Sequence, residues 1–258
     1  MARTASSRPL TTPDYWQGQQ AGRVVLPEGG ICPRWLEIVQ RHLPTGGHVR
    51  CLEVGVVPGH TLLFFATRFG YSCAGVDFSD RIDQVRTAFE QQGVTADFWH
   101  ADFMAWTSSP SFDVVYSCGF VEHFLDFDQV VRKHWDLVRP GGLLILTLPT
   151  WSPWQVLVRR VCYTPEKMRL ITEAHNLDVM NLQSLRAAVQ RCPGSRVVQA
   201  EYFSGALVWF TPESDGIRRG SAPVFPLIRL VERAARRLGR SSRYYSPEAV
   251  VVARKVLG

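Results

Sequence analysis

From residue 49 onward, short apolar runs alternate with amphipathic stretches at the spacing of strands and helices. Val49 to Val54 is an apolar run closed by a glycine-containing turn, and helical spacing follows over His60 to Phe69. Ser72 to Asp77 predicts a second strand, and Ser79 to about Gln92 a helix. Ala96 to Ala101 and Phe112 to Ser117 predict a third and a fourth strand. Asp126 to Val138 is helical in pattern, Arg139-Pro140-Gly141-Gly142 predicts a turn, and Leu143 to Leu148 a fifth strand. Strands this apolar, separated by helices, imply a parallel sheet covered on both faces.

Outside this unit the pattern is looser. Pro33 to Leu43 has the period of an amphipathic helix, and Asp14-Tyr15-Trp16 is an aromatic cluster in a polar leader. Residues 151–195 read as helical and loop-like, Val197 to Phe210 alternates like a strand, and Ala249 to Val256 predicts a final β-branched strand. Within 211–246, Pro226 to Gly239 places Leu227, Val231, Ala234 and Leu238 on one face, with Arg229, Arg233, Arg236 and Arg237 elsewhere. There is no internal repeat and no second αβ unit. One domain over 31–258 is expected, behind a flexible leader over 1–30 that could close as a lid. Its parts are a core (49–150), a following region (151–210), a basic insertion (211–246) and the last strand (249–256).

A length of 258 residues suits one α/β domain with elaborations. With 46% hydrophobic and 20% charged residues the chain is not of the disordered class. Apolar runs such as Gly141 to Leu148 fall far short of the roughly 20 residues that span a bilayer. Met1 to Pro13 lacks the apolar stretch of a secretory signal. The six cysteines show no metal or redox spacing. Cys51, Cys73 and Cys118 fall in or at the end of predicted buried strands, where cysteine acts as a small hydrophobe, and a reducing, cytoplasmic setting is expected. The formal charge of +6 is uneven: residues 1–150 hold 12 basic and 15 acidic side chains, residues 151–258 hold 17 and 8. An anionic partner is therefore to be sought in the C-terminal part.

Ligands of open parallel sheets bind beyond the carboxyl ends of the strands. The turn after the first strand, Glu53-Val54-Gly55-Val56-Val57-Pro58-Gly59, has glycines where backbone must approach a ligand closely. The second strand ends in Gly75-Val76-Asp77, an acid placed to accept ribose hydroxyls. Ala101-Asp102-Phe103 follows the third strand, an acid beside an aromatic, suited to an adenine amine and ring face. Each signal alone is weak.

In order, Leu52-Glu53-Val54-Gly55, Gly75-Val76-Asp77, Ala101-Asp102, Phe112-Asp113-Val114-Val115 and Arg139-Pro140-Gly141-Gly142 closely resemble the motifs of the class I methyltransferases. The resemblance covers about residues 49–148. It implies a Rossmann-like α/β fold, with a seven-stranded, mostly parallel sheet, helices on both faces and an antiparallel last strand. It implies S-adenosylmethionine as cofactor and S-adenosylhomocysteine as product. Asp77 and the adjoining Phe78 would lie on the ribose side, Asp102 and Phe103 on the adenine, and the Gly55–Gly59 turn on the methionine moiety. Glu53 would support the loop, and Cys118-Gly119 would border the sulfonium. Where the family has its middle glycine this chain has Val57, a side chain expected to crowd a close ligand.

Methyl transfer needs alignment and, for a hydroxyl acceptor, removal of a proton. In Ser117-Cys118-Gly119-Phe120-Val121-Glu122-His123-Phe124, His123 is the expected base and Glu122 its orienting partner or a turn cap. Relatives that hold a divalent metal there use Glu-x-x-Glu-His. Here Gly119 stands in place of the first carboxylate, and two ligands without a third predict no metal. His134 and His175, otherwise read as surface or helix-face histidines, would add to the site only if the fold brought them in. His100 is expected to pack in a buried strand. Tyr15 and Trp16 could form a lid, and Trp151, Trp154, Tyr163, His175, Asn176, Tyr202 and Phe203 are acceptor-side candidates. His175-Asn176-Leu177-Asp178-Val179-Met180-Asn181-Leu182 is faintly similar to methyltransferases of bacterial polysaccharide and glycolipid pathways.

The expected activity is methylation, foremost at oxygen, of a small molecule or glycan. Val57 keeps open a regulatory protein with impaired catalysis. From Arg218 to Arg243 there are eight arginines and one glutamate. The plain reading of this stretch is a helix whose apolar stripe packs on the domain. It could instead make a peripheral contact with anionic lipid. RNA ranks lower because no RNA module accompanies the charge.

Overall fold

Successive strand residues point to opposite faces of a sheet, and the central strands here are apolar on both. Leu52, Val54, Val76, Val115, Leu144 and Leu146 face one side, and Cys51, Cys73, Val114, Tyr116, Leu143 and Ile145 the other, all buried. In this computed structural model the described residues are 9–12, 15–16, 31–46, 48–108, 112–203, 205, 216–218, 220–239 and 241–256. Most of the leader and residues 206–215 lie outside them, and so do the side chains of Arg236 and Leu238.

The elements run α1 (Pro33–Gln40), β1 (Arg50–Val54), α2 (His60–Phe69), β2 (Ser72–Asp77), α3 (Ile82–Gln91), β3 (Ala96–His100), β4 (Phe112–Cys118), α4 (Phe127–Leu137) and β5 (Val138–Pro149). There follow α5 (Pro153–Cys162), α6 (Pro165–Ala174), α7 (Leu182–Gln190), β6 (Ser195–Phe203), α8 (Phe225–Leu238) and β7 (Glu248–Lys255). The sheet order is β3-β2-β1-β4-β5-β7-β6. β7 alone is antiparallel to its neighbours, β5 and β6, as expected of the last strand. Helices α4 and α7 cover one face, and α1, α2 and α3 the other. The order reverses between β1 and β4, so the switch-point crevice opens at Gly55 and Cys118.

Several local expectations change. The 139–142 turn is a bulge within β5, because Phe112 pairs with Val138 and Val114 already with Leu143. β3 is an edge strand, so His100 is exposed and bonds the Phe78 carbonyl rather than packing in the core. Cys118 is exposed at the tip of β4. His134 is fully buried on the inner side of α4, its Nδ1 donating to the Val130 carbonyl at 2.8 Å.

Capping explains the helices after β5, which periodicity leaves unseparated. Ser152 and Thr164 accept from the third residue beyond them, Gln155 and Lys167, and each precedes a proline at the first helical position. Asn181 caps α7 through Ser184 N–H at 2.8 Å. Helices α5, α6 and α8 share a third, smaller cluster built on Val158, Cys162, Tyr163 and Ile228. The buried side of α8 is Ile228 and Ala235, whereas Leu227 and Ala234, expected on the packing face, are exposed. No helix among the described residues is long and apolar enough to cross a membrane.

Candidate active site

The turn after β1 is held by β2: Gly55 and Val56 N–H both donate to the Val76 carbonyl, at 2.9 and 3.4 Å. Gly55 (φ +73°) and Gly59 (φ +89°) take left-handed backbone. Space demands glycine as well. A Cβ on Gly55 would sit 2.7 Å from Phe120, and one on Gly59 2.6 Å from Val85. Val57 does not project from this turn as its substitution for glycine predicts. Its side chain is buried in the cluster that includes Val56, Leu62 and Val85, while its N–H donates to Asp77 Oδ2 at 3.0 Å.

Asp77 ends β2 with its other oxygen accepting Ser79 N–H at 2.8 Å. Burial raises its pKa against these bonds. Behind the turn, Glu53 is buried, accepts the Tyr116 hydroxyl at 2.7 Å and bonds Leu62 N–H, tying β1 to α2 and β4. Burial pushes its pKa up to about 8. Phe78 is half-buried beside Asp77, and Asp102 is exposed beyond β3 with Oδ1 on Met104 N–H. Phe103, expected to face adenine, is 4% exposed. It packs in the core against Phe120 and His134, at 5.6 and 4.6 Å between ring centres, because its turn points it under α4.

Across the crevice, β4 ends in Cys118 and Gly119, and a short 3₁₀ turn (Val121–His123) carries Glu122 and His123 inward. Both are buried. Their backbone is clamped from two sides. Asn176 N–H donates to the Glu122 carbonyl and Leu10 N–H to the His123 carbonyl, each at 2.8 Å. The His123 Nδ1–H donates to the Ala174 carbonyl at 2.7 Å, and the ring also meets the Gly119 backbone. His175 repeats the arrangement through Ile171, also at 2.7 Å, and the two rings lie 4.5 Å apart. Trp16 stands edge-on to His123 at 4.8 Å, and Tyr15 lies 6.4 Å from it.

Burial pulls the His123 pKa down to about 3 and pushes that of Glu122 up to about 8. Burial and the nearby Glu122 charge raise Tyr15. Glu122 Oε2 is buried with no partner, and Oε1 lies 3.9 Å from His123 Nε2, beyond hydrogen-bond reach. Ligand atoms of Glu122, His123 and His175 all lie within 4.8 Å of one another, so these three could hold a cation. Residue spacing could not supply the third member, because His175 arrives at the end of α6.

The remaining aromatic candidates divide. Trp151 lies under the Arg159 guanidinium at 5.3 Å, and Trp154 and Tyr163 pack in the small third cluster. Tyr202 faces α7, its hydroxyl on Gln183 Oε1 at 2.9 Å, and Phe203 is core. Sequence reasoning passes over Phe120, whose one signal is its place directly after Cys118-Gly119, the tip of the strand facing the glycine turn.

Residues 51–142 match the sequence model of a methyltransferase domain family. Over that stretch the chain resembles a methyltransferase domain, and a solved structure that shares the fold is described in complex with S-adenosyl-L-methionine. No curated protein sequence matches it. Among solved structures, the methyltransferase fold is shared with phosphoethanolamine N-methyltransferase 2 of Haemonchus contortus, in complex with phosphomonomethylethanolamine and S-adenosylhomocysteine. The two are 16% identical with a TM-score of 0.58, over 95% of this chain and 57% of that one. Geranyl diphosphate C-methyltransferase from Streptomyces coelicolor A3(2) is 12% identical, with a TM-score of 0.58 over 86% of this chain and 77% of that one. The [4+2]-cyclase SpnF is 18% identical, with a TM-score of 0.54 over 87% and 81%. One fold thus carries different chemistries, and the reaction must be argued from the site.

Proposed function

We propose that this methyltransferase transfers the methyl group of S-adenosylmethionine to a hydroxyl oxygen of a small-molecule or glycan acceptor. One observation carries the reading: Glu122 Oε2 is buried with no partner on the turn directly after the tip of β4, where Phe120 closes on Gly55 of the glycine turn. Asp77 would hold the ribose and Asp102 the adenine amine, while Gly55 and Gly59, lacking Cβ atoms, let the turn approach the methionine moiety. The cofactor supplies an activated methyl for in-line displacement. As the acceptor oxygen bonds to that carbon, Glu122 takes the hydroxyl proton. A carboxylate with a pKa near 8 matches this task better than an imidazole near 3, so the base is Glu122, and His123 walls the site beside it. Trp16 and Tyr15 exclude water from above.

Isothermal titration with S-adenosylmethionine tests the first half; no detectable binding overturns the enzyme reading. Glu122→Gln tests the second. The base must be deprotonated, so kcat rises with pH up to about 8 and levels off. The variant loses that rise and about 10²-fold or more in kcat while keeping its cofactor affinity. An unchanged kcat removes Glu122 as the base.

Ligand geometry favours a second reading of the same cluster: a divalent cation on Glu122, His123 and His175 that activates the acceptor oxygen. Each histidine has its Nδ1 held by a backbone carbonyl, the usual support for an imidazole that binds a metal through Nε2. The Streptomyces geranyl diphosphate enzyme is a neighbour described in complex with Mg2+. Direct titration of the chelator-treated protein with Mg2+ and Zn2+ separates the readings. Heat release lost in His175→Ala supports the cation, and its absence for both metals leaves Glu122 as the base.

A further inference from the structure

Eight large apolar side chains are conspicuously exposed among the described residues, and five of them belong to three helices. They are Leu157 (54%) and Val161 (41%) on α5, Leu170 (50%) on α6, and Leu227 (59%) and Leu230 (61%) on α8. These are the helices joined by the small Val158–Cys162–Tyr163–Ile228 cluster, so the exposure is a property of one lobe. It is also the lobe that ends in Ala174 and His175, against which His123 is fixed.

At 100° per residue, α8 divides into three strips. Ile228 and Ala235 are buried against the domain. Leu227, Leu230 and Ala234, spaced i, i+3 and i+7, form an exposed apolar strip. Arg229, Arg233 and Arg237, spaced i, i+4 and i+8, form an exposed basic strip beside it. Glu232 is the only acid of the helix. Exposed leucines flanked by arginines, on a helix already anchored by its third side, have the chemistry of an interfacial helix. The leucines enter the acyl boundary while the guanidinium groups reach the phosphates. The C-terminal charge excess, 17 basic against 8 acidic side chains over residues 151–258, has the same sign. A nucleic acid would use the basic strip but has no need of the leucines, and a second copy of the chain would meet an equally basic surface.

We propose that the α5–α6–α8 lobe docks this methyltransferase peripherally on an anionic lipid surface through α8. The proposal does not depend on which acceptor atom is methylated. The test is co-sedimentation of the full chain with vesicles of phosphatidylcholine alone and of phosphatidylcholine with roughly one-third phosphatidylglycerol. Binding to the anionic vesicles is expected at about 0.1 M salt and should weaken at about 1 M. Leu227→Ser with Leu230→Ser should lower the partition coefficient about tenfold or more. Arg229→Gln, Arg233→Gln and Arg237→Gln together should lower it about a hundredfold at low salt. All five positions are exposed, and unchanged thermal melting verifies that the variants are folded. No binding to anionic vesicles at low salt overturns the proposal. So does binding that the leucine pair leaves unchanged, which marks a purely electrostatic polyanion site such as one for RNA. A concentration-dependent dimer lost in the leucine variant, without vesicle binding, assigns the face to a second copy instead.

Discussion

At the scale of single residues, two buried carboxyl groups stand out by their raised pKa values. Glu53 and Glu122 both have pKa values pushed to about 8 by burial, yet only Glu53 has a side-chain donor, the Tyr116 hydroxyl. A carboxyl whose pKa rises on folding keeps its proton in the native state after the unfolded chain has released it. Its contribution is present in full below about pH 4.5 and is lost as pH rises from there to about 8. Melting temperature should therefore fall across that window, and Glu53→Gln, which keeps an acceptor for Tyr116, should flatten the fall. An unchanged slope in thermal melts at several pH values would assign the effect elsewhere. Gly55 makes the opposite point, since backbone conformation and space both forbid a side chain there. Gly55→Ala should cost about 1–3 kcal/mol in denaturant unfolding and weaken cofactor binding. Phe120→Ala should restore part of that loss, because it clears the contact but leaves φ at +73°.

At the scale of elements, the site is made by segments that reach the β4 loop from opposite directions. The end of α6 bonds Glu122 and His123 through Asn176 and Ala174, and the leader bonds His123 through Leu10. Trp16 is fixed by its indole N–H on Thr11 Oγ1 at 3.0 Å and covers His123 without belonging to any described strand or core helix. Trp16→Ala should raise KM for the acceptor about tenfold and change cofactor affinity less than about twofold. Equal losses in both would make the leader part of the cofactor site. The motif order along β1 to β5 is legible in the amino-acid sequence because each motif sits at the end of one strand, and adjacency along the chain carries it. The Glu122–His123–His175 cluster is not legible there, since periodicity says nothing of which loop a helix end will meet.

Across the whole molecule, the sheet with its two covering layers and the lobe of α5, α6 and α8 differ in how much they bury. The sheet faces are packed by two extended clusters, whereas the lobe centres on a small one of four buried side chains. The lobe should open first under native conditions, so backbone amides of α5 and α8 should exchange much faster than those of β4 and β5. Hydrogen exchange followed by mass spectrometry checks this; equal protection would show one cooperative unit. Local sequence is enough to specify the α/β class, the succession of strands, the glycine turn and the acids at the strand ends. These follow from short-range periodicity and from residues that are neighbours in the chain. Tertiary packing alone selects the inward turn of Val57, the core positions of Phe103 and His134, the meeting of His175 with His123, and the outward face of Leu227 in place of Ile228. Each of these depends on which side of an element finds a partner, a choice made by packing between segments far apart in sequence and left open by the amphipathic pattern of either segment alone.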